Sequence, residues 1–212
     1  MDVKRIKKNR WPWIALVFVS AVASGSALRV NADAADEVKR LAALMEWKLG
    51  TIVADIGAGD GRYSFAAAAH VGAAGRVFAT EIDAQKIAEL RAEVQKRNLQ
   101  NVIVVESKDA DTNLGVSCCD AIFLRRVYHH LTKPAEFDAG LVRSLKPGGR
   151  LAIIDFPPRS GLEPVEGVPS NRGGHGIPEK IVIEELTAAG LQVEKVVNDW
   201  ADKSYCVLFV KK

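Results

Sequence analysis

The stretch VADIGAGDG, residues 53–61, decides the fold, because an apolar run ending in an acid leads directly into three alternating glycines. The apolar run predicts a short buried strand. Glycine permits tight turns and lets a ligand approach the main chain closely. In parallel sheets, a turn directly after a strand lies at the edge where ligands bind. The stretch therefore predicts the first strand and the binding loop of an α/β domain.

The remainder of the chain alternates between strand-like and helix-like segments. Apolar runs predict five strands, at residues 51–56, 76–80, 101–105, 120–124 and 150–156. Apolar residues at helical spacing predict helices, at residues 33–49, 62–70, 83–97, 134–145 and 178–190. This alternation is typical of a parallel sheet that is covered by helices on both faces.

Two final apolar runs, residues 191–197 and 205–211, lie too close together for a parallel crossover, which needs about a dozen residues. We therefore expect the last strand to be antiparallel. The predicted fold is an α/β, Rossmann-like, seven-stranded, mostly parallel sheet with an antiparallel last strand and helices on both faces. Residues 157–177, rich in proline and glycine, predict a long loop.

Charge is concentrated at the amino terminus of the chain. Of 29 basic and 26 acidic residues, five basic and one acidic residue lie in residues 1–27, so the remainder is close to neutral. This balance argues against nucleic acid as a partner. Three cysteines without a CxxC motif predict neither a disulfide framework nor a zinc site, and we expect no bound metal.

Residues 1–27 have the layout of a secretory signal. A basic start precedes an apolar run, residues 11–23, and small residues follow it. The run is short for a bilayer span of about 20 residues, but an uncleaved anchor or an amphipathic extension are open alternatives. We expect a signal peptide or membrane anchor in residues 1–27 and a single domain in residues 28–212. The expected location is the cell envelope, with membrane association through residues 11–27.

Acidic residues surround the glycine loop. Asp55 and Asp60 flank the glycines, and Glu81 ends the second predicted strand. The GxGxG spacing differs from the GxGxxG dinucleotide motif, and no phosphate-binding Gly-Lys-Ser/Thr ending is present. Carboxylates repel a pyrophosphate, whereas they suit a cation and the hydroxyls of a ribose. The loop therefore predicts a ligand that carries a ribose and a positive charge but no phosphate.

Five segments together resemble a known family. DIGAGDG and ATEID are similar to the S-adenosylmethionine (SAM) site of class I methyltransferases. They are followed in the family's order by SKDA (107–110), CDAIFLRRVYHHL (119–131) and LKPGGRLAIIDF (145–156). The resemblance covers about residues 45–156 and extends to exported bacterial enzymes. It implies SAM as the methyl donor, S-adenosylhomocysteine (SAH) as the product and a small-molecule or lipid-like acceptor.

The resemblance also implies roles for individual residues. Asp55 corresponds to the acid that orients the methionine amino end through the loop, and Glu81 to the ribose acceptor. Ile82 would pack on the adenine and Asp109 would bind the adenine amino group, with Asp111 as an open alternative. The full implied cofactor set is Asp55, Gly57, Ala58, Gly59, Gly61, Glu81, Ile82, Asp109 and Ala110.

The acceptor side is harder to predict, because a sulfonium methyl group needs mainly alignment and the exclusion of water. A general base helps only with a hydroxyl or ammonium acceptor. Tyr128 and His130, just after the fourth strand, and His175 in the long loop are the catalytic candidates. We expect His129 to be exposed. Arg125 and Arg126 either bind an anionic acceptor or are solvated charges at a strand end.

Two other functions compete with methyl transfer. A catalytically silent nucleoside- or SAM-binding module of the cell envelope is one, because SAM is made in the cytosol. A nicotinamide-dependent oxidoreductase is the other, and the glycine spacing disfavours it. The adjacent pair Cys118–Cys119 suggests arsenic binding, but we expect it to serve packing. The sequence does not predict the oligomeric state.

Overall fold

The computed structural model describes the backbone of residues 21–212 and the side chains from residue 33 onward. The five helices of this part are α1 (Ala21–Leu44), α2 (Arg62–Val71), α3 (Ala84–Lys96), α4 (Pro134–Ser144) and α5 (Glu179–Ala188). Its seven strands are β1 (Ile52–Ile56), β2 (Arg76–Glu81), β3 (Val102–Glu106), β4 (Cys119–Arg125), β5 (Leu145–Asp155), β6 (Gln192–Trp200) and β7 (Ser204–Val210).

The strands form one sheet in the order β3-β2-β1-β4-β5-β7-β6. Strands β1 to β5 run parallel, and β7 is antiparallel to both of its neighbours, β5 and β6. The predicted fold class is confirmed. The strand order reverses between β1 and β4, and a crevice at such a point is where open α/β sheets bind ligands.

Helices cover both faces of the sheet. One face packs against α1, α2 and α3 through side chains such as Leu41, Ala67 and Leu90. The opposite face packs against α4 and α5, with Leu141 and Leu186 fully buried. The central strands are buried on both sides, which explains why they read in the sequence as continuous apolar runs rather than alternating ones.

Two elements differ from their predicted bounds by five residues or more. Helix α1 ends at Leu44 rather than at residue 49, because Glu46 adopts a left-handed conformation that turns Trp47 into the core. Strand β5 begins at Leu145, so the KPGG segment that predicted a turn belongs to the strand. A register shift between Cys119 and Ala121 of the neighbouring strand accommodates that segment.

The amino-terminal prediction falls largely outside the described residues. Residues 1–20, which hold the basic start and most of the apolar run, are not described. The expected boundary at residue 27 lies inside α1. From residue 21 onward, no helix combines the length and the apolar character that crossing a membrane requires.

Candidate functional site

A cleft of about 430 Å³ opens at the carboxyl ends of β1, β2 and β4. The glycine loop, the end of β2 and the segment after β4 form its walls. It is lined by Ile56, Gly57, Gly59, Glu81, Ile82, Lys86, Ser107, Lys108, Asp109, Arg125, Arg126, Val127, His130, Leu131 and Phe137. The cleft thus brings together residues from segments that the sequence analysis singled out separately.

The glycine loop is held in place by its own main chain. The Ala58 amide donates to the Thr80 carbonyl at 2.8 Å, and the Gly59 amide donates to the Glu81 carboxylate at 2.9 Å. Gly57 and Gly59 both have positive φ. A Cβ on Gly57 would overlap Val127, whereas one on Gly59 would enter open space. Gly59 is therefore the loop position at which a ligand in the cleft can approach the backbone closely.

Gly61 has a different role from the other two glycines. It precedes the first residue of α2, and a Cβ there would lie 2.5 Å from Phe65 and 2.6 Å from Leu90. Gly61 does not line the cleft. It allows α2 to pack closely on its neighbours, and its contact with the ligand stays a prediction. Ala58 is buried and acts through its hydrogen bond to β2.

Asp55 lies behind the loop rather than in the cleft. Its carboxylate is 3% exposed and accepts a 2.6 Å hydrogen bond from the Ser64 hydroxyl at the start of α2. Burial raises the pKa of Asp55 to about 7, and the nearby Glu81 carboxylate adds to this effect. The Ser64 hydrogen bond opposes both. Asp55 thus supports the loop from below.

The Glu81 carboxylate is fixed by three backbone amides, those of Gly59, Ile82 and Asp83. It lines the cleft although it is only 5% exposed. A carboxylate has about four acceptor positions, so one remains free after these three bonds. A ribose hydroxyl can use it. Ile82, beside it, exposes 58% of its surface, an unusual amount for isoleucine, and offers an apolar wall to a base.

Asp109, rather than Asp111, lines the cleft. The Asp109 carboxylate accepts from the Thr132 hydroxyl and pairs with Lys133 at 3.0 Å, and these contacts lower its pKa. Asp111 pairs instead with Arg143. Of the two alternatives that the sequence left open, Asp109 is the one beside the cleft, and its contact with the adenine stays a prediction. Ala110, next to Asp109, is not part of the lining.

Of the catalytic candidates, His130 lines the cleft and Tyr128 does not. Although His130 is exposed, partial desolvation by its surroundings, together with the neighbouring His129, lowers the pKa of its imidazole to about 4. Tyr128 is fully buried, and its hydroxyl donates to Asp138 of α4 at 2.9 Å. The prediction that Tyr128 faces the acceptor is wrong, because the short 3₁₀ turn after β4 directs its ring into the core.

His129 was expected to be exposed, and this is also wrong. It is 2% exposed, and its Nδ1 lies 2.8 Å from the Asp155 carboxylate at the end of β5. Its ring lies against that of His130 at an interplanar angle of 40°, with centroids 4.0 Å apart. His175 lies 5.5 Å from His129 and 6.2 Å from His130 between ring centroids. From residue 33 onward, no three or more aspartate, glutamate, histidine or cysteine side chains cluster in a way that could hold a metal ion.

The loop at residues 157–177 packs on the domain through a buried arginine. Arg172 is 1% exposed and forms a bidentate pair with Glu185 of α5. It also donates to the carbonyls of Tyr128 and Leu131. The loop thereby holds His175 beside the turn that carries His130. The sequence analysis missed Arg172, since one arginine in a polar loop carries no signal of burial.

Comparison with known proteins agrees with this geometry. A family model described as a methyltransferase domain matches residues 54–153. A crystal structure of a SAM-dependent methyltransferase from Aquifex aeolicus is 28% identical, covers 83% of this chain and 90% of its own, and superposes with a TM-score of 0.71. Both findings support a SAM-dependent methyltransferase whose domain is similar to those of the class I enzymes.

Two more distant structures share the fold of this methyltransferase. The cyclase SpnF is 17% identical, with 91% of this chain and 84% of its own covered and a TM-score of 0.66. A possible exported protein from Bordetella parapertussis is 13% identical, with 84% and 67% covered and a TM-score of 0.64. At such identities the likeness concerns the fold alone.

SAM is the cofactor of the methyltransferase, and the cleft fits it. Glu81 has an acceptor position free for the ribose, Ile82 gives an apolar wall for the adenine, and Gly59 leaves its backbone bare. Asp109 lines the same cleft. Individual contacts with SAM stay predictions for all residues of the implied set.

A second cleft of the methyltransferase, about 590 Å³ in volume, lies between α1, the start of α2 and the turn that joins β6 to β7. Glu37 of α1 lies at its centre and accepts from Arg125 at 2.9 Å, Trp200 at 2.6 Å and Tyr63 at 2.9 Å. Arg125 and Arg126 line both clefts. The two clefts therefore meet at the end of β4.

Proposed function

We propose that the chain transfers the methyl group of SAM to a small-molecule acceptor bound in the second cleft. The observation that carries this proposal is the junction of the two clefts at Arg125 and Arg126. Residues beside the end of β4 can contact ligands in both spaces at once. The described residues contain no separate substrate domain, so the walls of an acceptor site must come from α1, the β6–β7 turn and the segment after β4.

Bound SAM supplies a sulfonium methyl group that is already activated toward a nucleophile. The chain's own residues then bind the cofactor, align the acceptor and exclude water. Glu81 and Gly59 fix the loop against β2, and Asp55 with Ser64 supports it from beneath. Since these groups are pre-positioned by backbone bonds, little reorganisation is needed when SAM binds.

His130 is suited to hydrogen bonding rather than to strong base catalysis. With a pKa of about 4 its imidazole is neutral at pH 7, and a base with so low a pKa gains little from taking a proton. His129, held by Asp155, packs its ring against that of His130 and limits its movement. We therefore favour an acceptor that already carries an available lone pair over an alcohol that must lose a proton.

Cofactor binding and turnover are tested together on the full chain. Calorimetric titration with SAM and SAH is expected to give micromolar binding that is lost in Glu81→Ala and weakened in Asp55→Ala. Release of SAH is then followed with a panel of small acceptors. Binding without turnover on any acceptor would instead favour a silent SAM-binding module, and no binding by the folded wild type would refute the proposal.

We propose further that residues 1–27 direct the chain to the cell envelope. The basic start and apolar run support this, and one protein of the same fold is described as a possible exported protein. Fractionation of cells that express the full chain is expected to place it in the membrane or outside it, and deletion of residues 1–20 to return it to the cytosol. Recovery of the full chain in the cytosolic fraction would contradict this.

A further inference from the structure

Arg126, the first residue after β4, has a strained backbone. Its φ is 57°, in the left-handed region, which costs about 1 kcal/mol or more for a residue other than glycine. Its amide donates to the Ile154 carbonyl at 2.7 Å, which holds the strained conformation in place. Strain of this kind is concentrated at functional sites. Arg126 also lines both clefts.

The guanidinium of Arg126 uses only half of the edge formed by Nε and Nη2. Its Nη2 donates to Asp202 at 2.9 Å, whereas its Nε is buried and has no hydrogen-bond partner among the described residues. In two other arginines of the chain, Arg150 and Arg172, the same edge is filled by one carboxylate that accepts from both Nε and Nη2. Arg126 thus has a free donor where a carboxylate would complete the pair.

Asp202 is an exchangeable occupant of this edge. It lies in the short turn between β6 and β7, and its side chain is 63% exposed. Asp202 and Lys203 both have positive φ, 58° and 59°, so the turn is itself strained. Arg125 lies 3.5 Å from the same carboxylate, and Arg159 donates to the Asp202 carbonyl at 3.2 Å. Three guanidinium groups therefore converge on one exposed turn.

We propose that the Nε–Nη2 edge of Arg126 binds a carboxylate group of the methyl acceptor, and that Asp202 occupies the edge when no acceptor is bound. The proposal rests on the proposed function and names its substrate class, a small molecule that carries a carboxylate. Arrival of the ligand displaces the Asp202 turn, uncovers Nε and completes the bidentate pair. Arg159, released from the turn, stays close enough to add a second positive charge.

The edge serves the acceptor rather than the carboxylate of SAM. Nη2 of Arg126 points to Asp202, and Asp202 lines the second cleft but not the cofactor cleft. The neighbouring Arg125 is already committed, because it pairs with Glu37 at 2.9 Å and lies over the Tyr63 ring. Arg40 and Arg62 also line the second cleft and pair with Asp199 and Asp60. Among the described arginines of this cleft, Arg126 is the one with a buried Nε that has no partner.

The test uses the full chain saturated with SAH and a matched pair of probes, benzoate and benzamide, which differ in the carboxylate. Asp202→Asn removes the competing negative charge from the edge and is expected to bind benzoate about tenfold more tightly than wild type, the change expected for one charge-assisted hydrogen bond. Benzamide affinity should stay unchanged. Arg126→Gln in the Asp202→Asn background should remove the gain, while Arg150→Gln, which removes a distant arginine, should preserve it.

Three further results would overturn the proposal. Equal benzoate affinity in wild type and Asp202→Asn would show that Asp202 does not compete with a carboxylate ligand for the Arg126 edge. Tighter binding of inorganic phosphate than of benzoate in Asp202→Asn would exclude a carboxylate site. A loss of SAH affinity in Arg126→Gln without loss of 5′-methylthioadenosine affinity would assign the edge to the cofactor's own carboxylate. Failure of wild type to bind SAH would instead refute the proposed function.

Discussion

The Gly59 amide donates a 2.9 Å hydrogen bond to the Glu81 carboxylate, which joins the loop after β1 to the end of β2. The same carboxylate accepts from the amides of Ile82 and Asp83. One side chain therefore shapes the loop and presents an oxygen to the cleft.

We predict that Glu81→Ala lowers SAM affinity by at least about 100-fold and the free energy of unfolding by about 1–3 kcal/mol, since three amides lose their acceptor. Calorimetry and urea unfolding measure the two effects. Glu106→Ala is the matched control, because Glu106 lies opposite Glu81 in the register of β3 but is exposed and outside the cleft. Equal effects of the two substitutions would contradict the role of Glu81.

The glycines of the loop should separate into two classes. Gly59→Ala places a methyl group in open space at the cleft, so it should weaken SAM binding and cost only about 1 kcal/mol of stability, from its positive φ. Gly61→Ala overlaps Phe65 and Leu90 and should cost about 1–3 kcal/mol of stability or more. Thermal unfolding and SAH titration of both variants distinguish these outcomes.

Gly148→Ala is the control for backbone strain alone. Gly148 has a φ of 75°, open space at the Cβ position and no place in the cleft. Gly59→Ala should match it in stability and differ from it in SAH affinity. If SAH affinity were the same in both, Gly59 would not contact the cofactor.

The buried Asp55 should make stability depend on pH. Its pKa rises from 3.8 to about 7 on folding, so the folded state holds the proton more tightly than the unfolded state. Stability from this group is therefore greatest at low pH and falls as pH increases from about 4 to 7, then stays level. Relative to Asp55→Asn, we predict that wild type loses a few kcal/mol between pH 4 and 8, about 1.4 kcal/mol for each unit of pKa shift.

Urea unfolding of both proteins at pH 4, 6 and 8 measures this difference. The charged groups that act on Asp55 are Glu81, Asp60 and Arg125, and they are the same in the two proteins. Their own titration therefore cancels to first order in the comparison. A wild type that gains stability over Asp55→Asn as pH rises would show the opposite sign and refute the assignment.

Tyr128 should prove structural. Tyr128→Phe removes the hydrogen bond to Asp138, whose other oxygen already has no partner in the described structure. We predict a loss of about 1–3 kcal/mol in the free energy of unfolding, because a buried carboxyl group is left without a donor. SAH affinity should stay within a factor of two, roughly the scatter that a remote change produces. Reduced SAH affinity with an unchanged free energy of unfolding would show that Tyr128 contributes to the binding site instead.

The sequence was sufficient for the sheet and for much of the cofactor cleft. Long apolar runs bounded by glycine and acid, as around Asp55 and Glu81, leave few alternatives once strands alternate with helices. Where the prediction failed, it depended on side-chain direction. Tyr128 and His129 are neighbours, and the 3₁₀ turn that buries both rings has no periodic signal over three residues.

Gly61 and Arg126 show the same limit. The spacing of Gly61 is that of a ligand-binding glycine, yet its neighbours in space are Phe65 and Leu90, which only the packed α2 and α3 bring close. From the sequence, Arg126 was one of two arginines at a strand end that either bind an anion or are solvated charges. Its left-handed φ and half-filled edge depend on the distant turn at Asp202, which no local pattern connects to it.

The position of β7 between β5 and β6 has a consequence for how the chain is made. Strand β6 leaves the ribosome earlier, but its sole strand partner within the described residues is β7. Until Ser204–Val210 have been synthesised, β5 has an open edge and β6 has no sheet to join. Closure of the sheet is thus tied to the synthesis of Ser204–Val210, and a chain released before that segment has two unpaired strand edges, a ready template for aggregation.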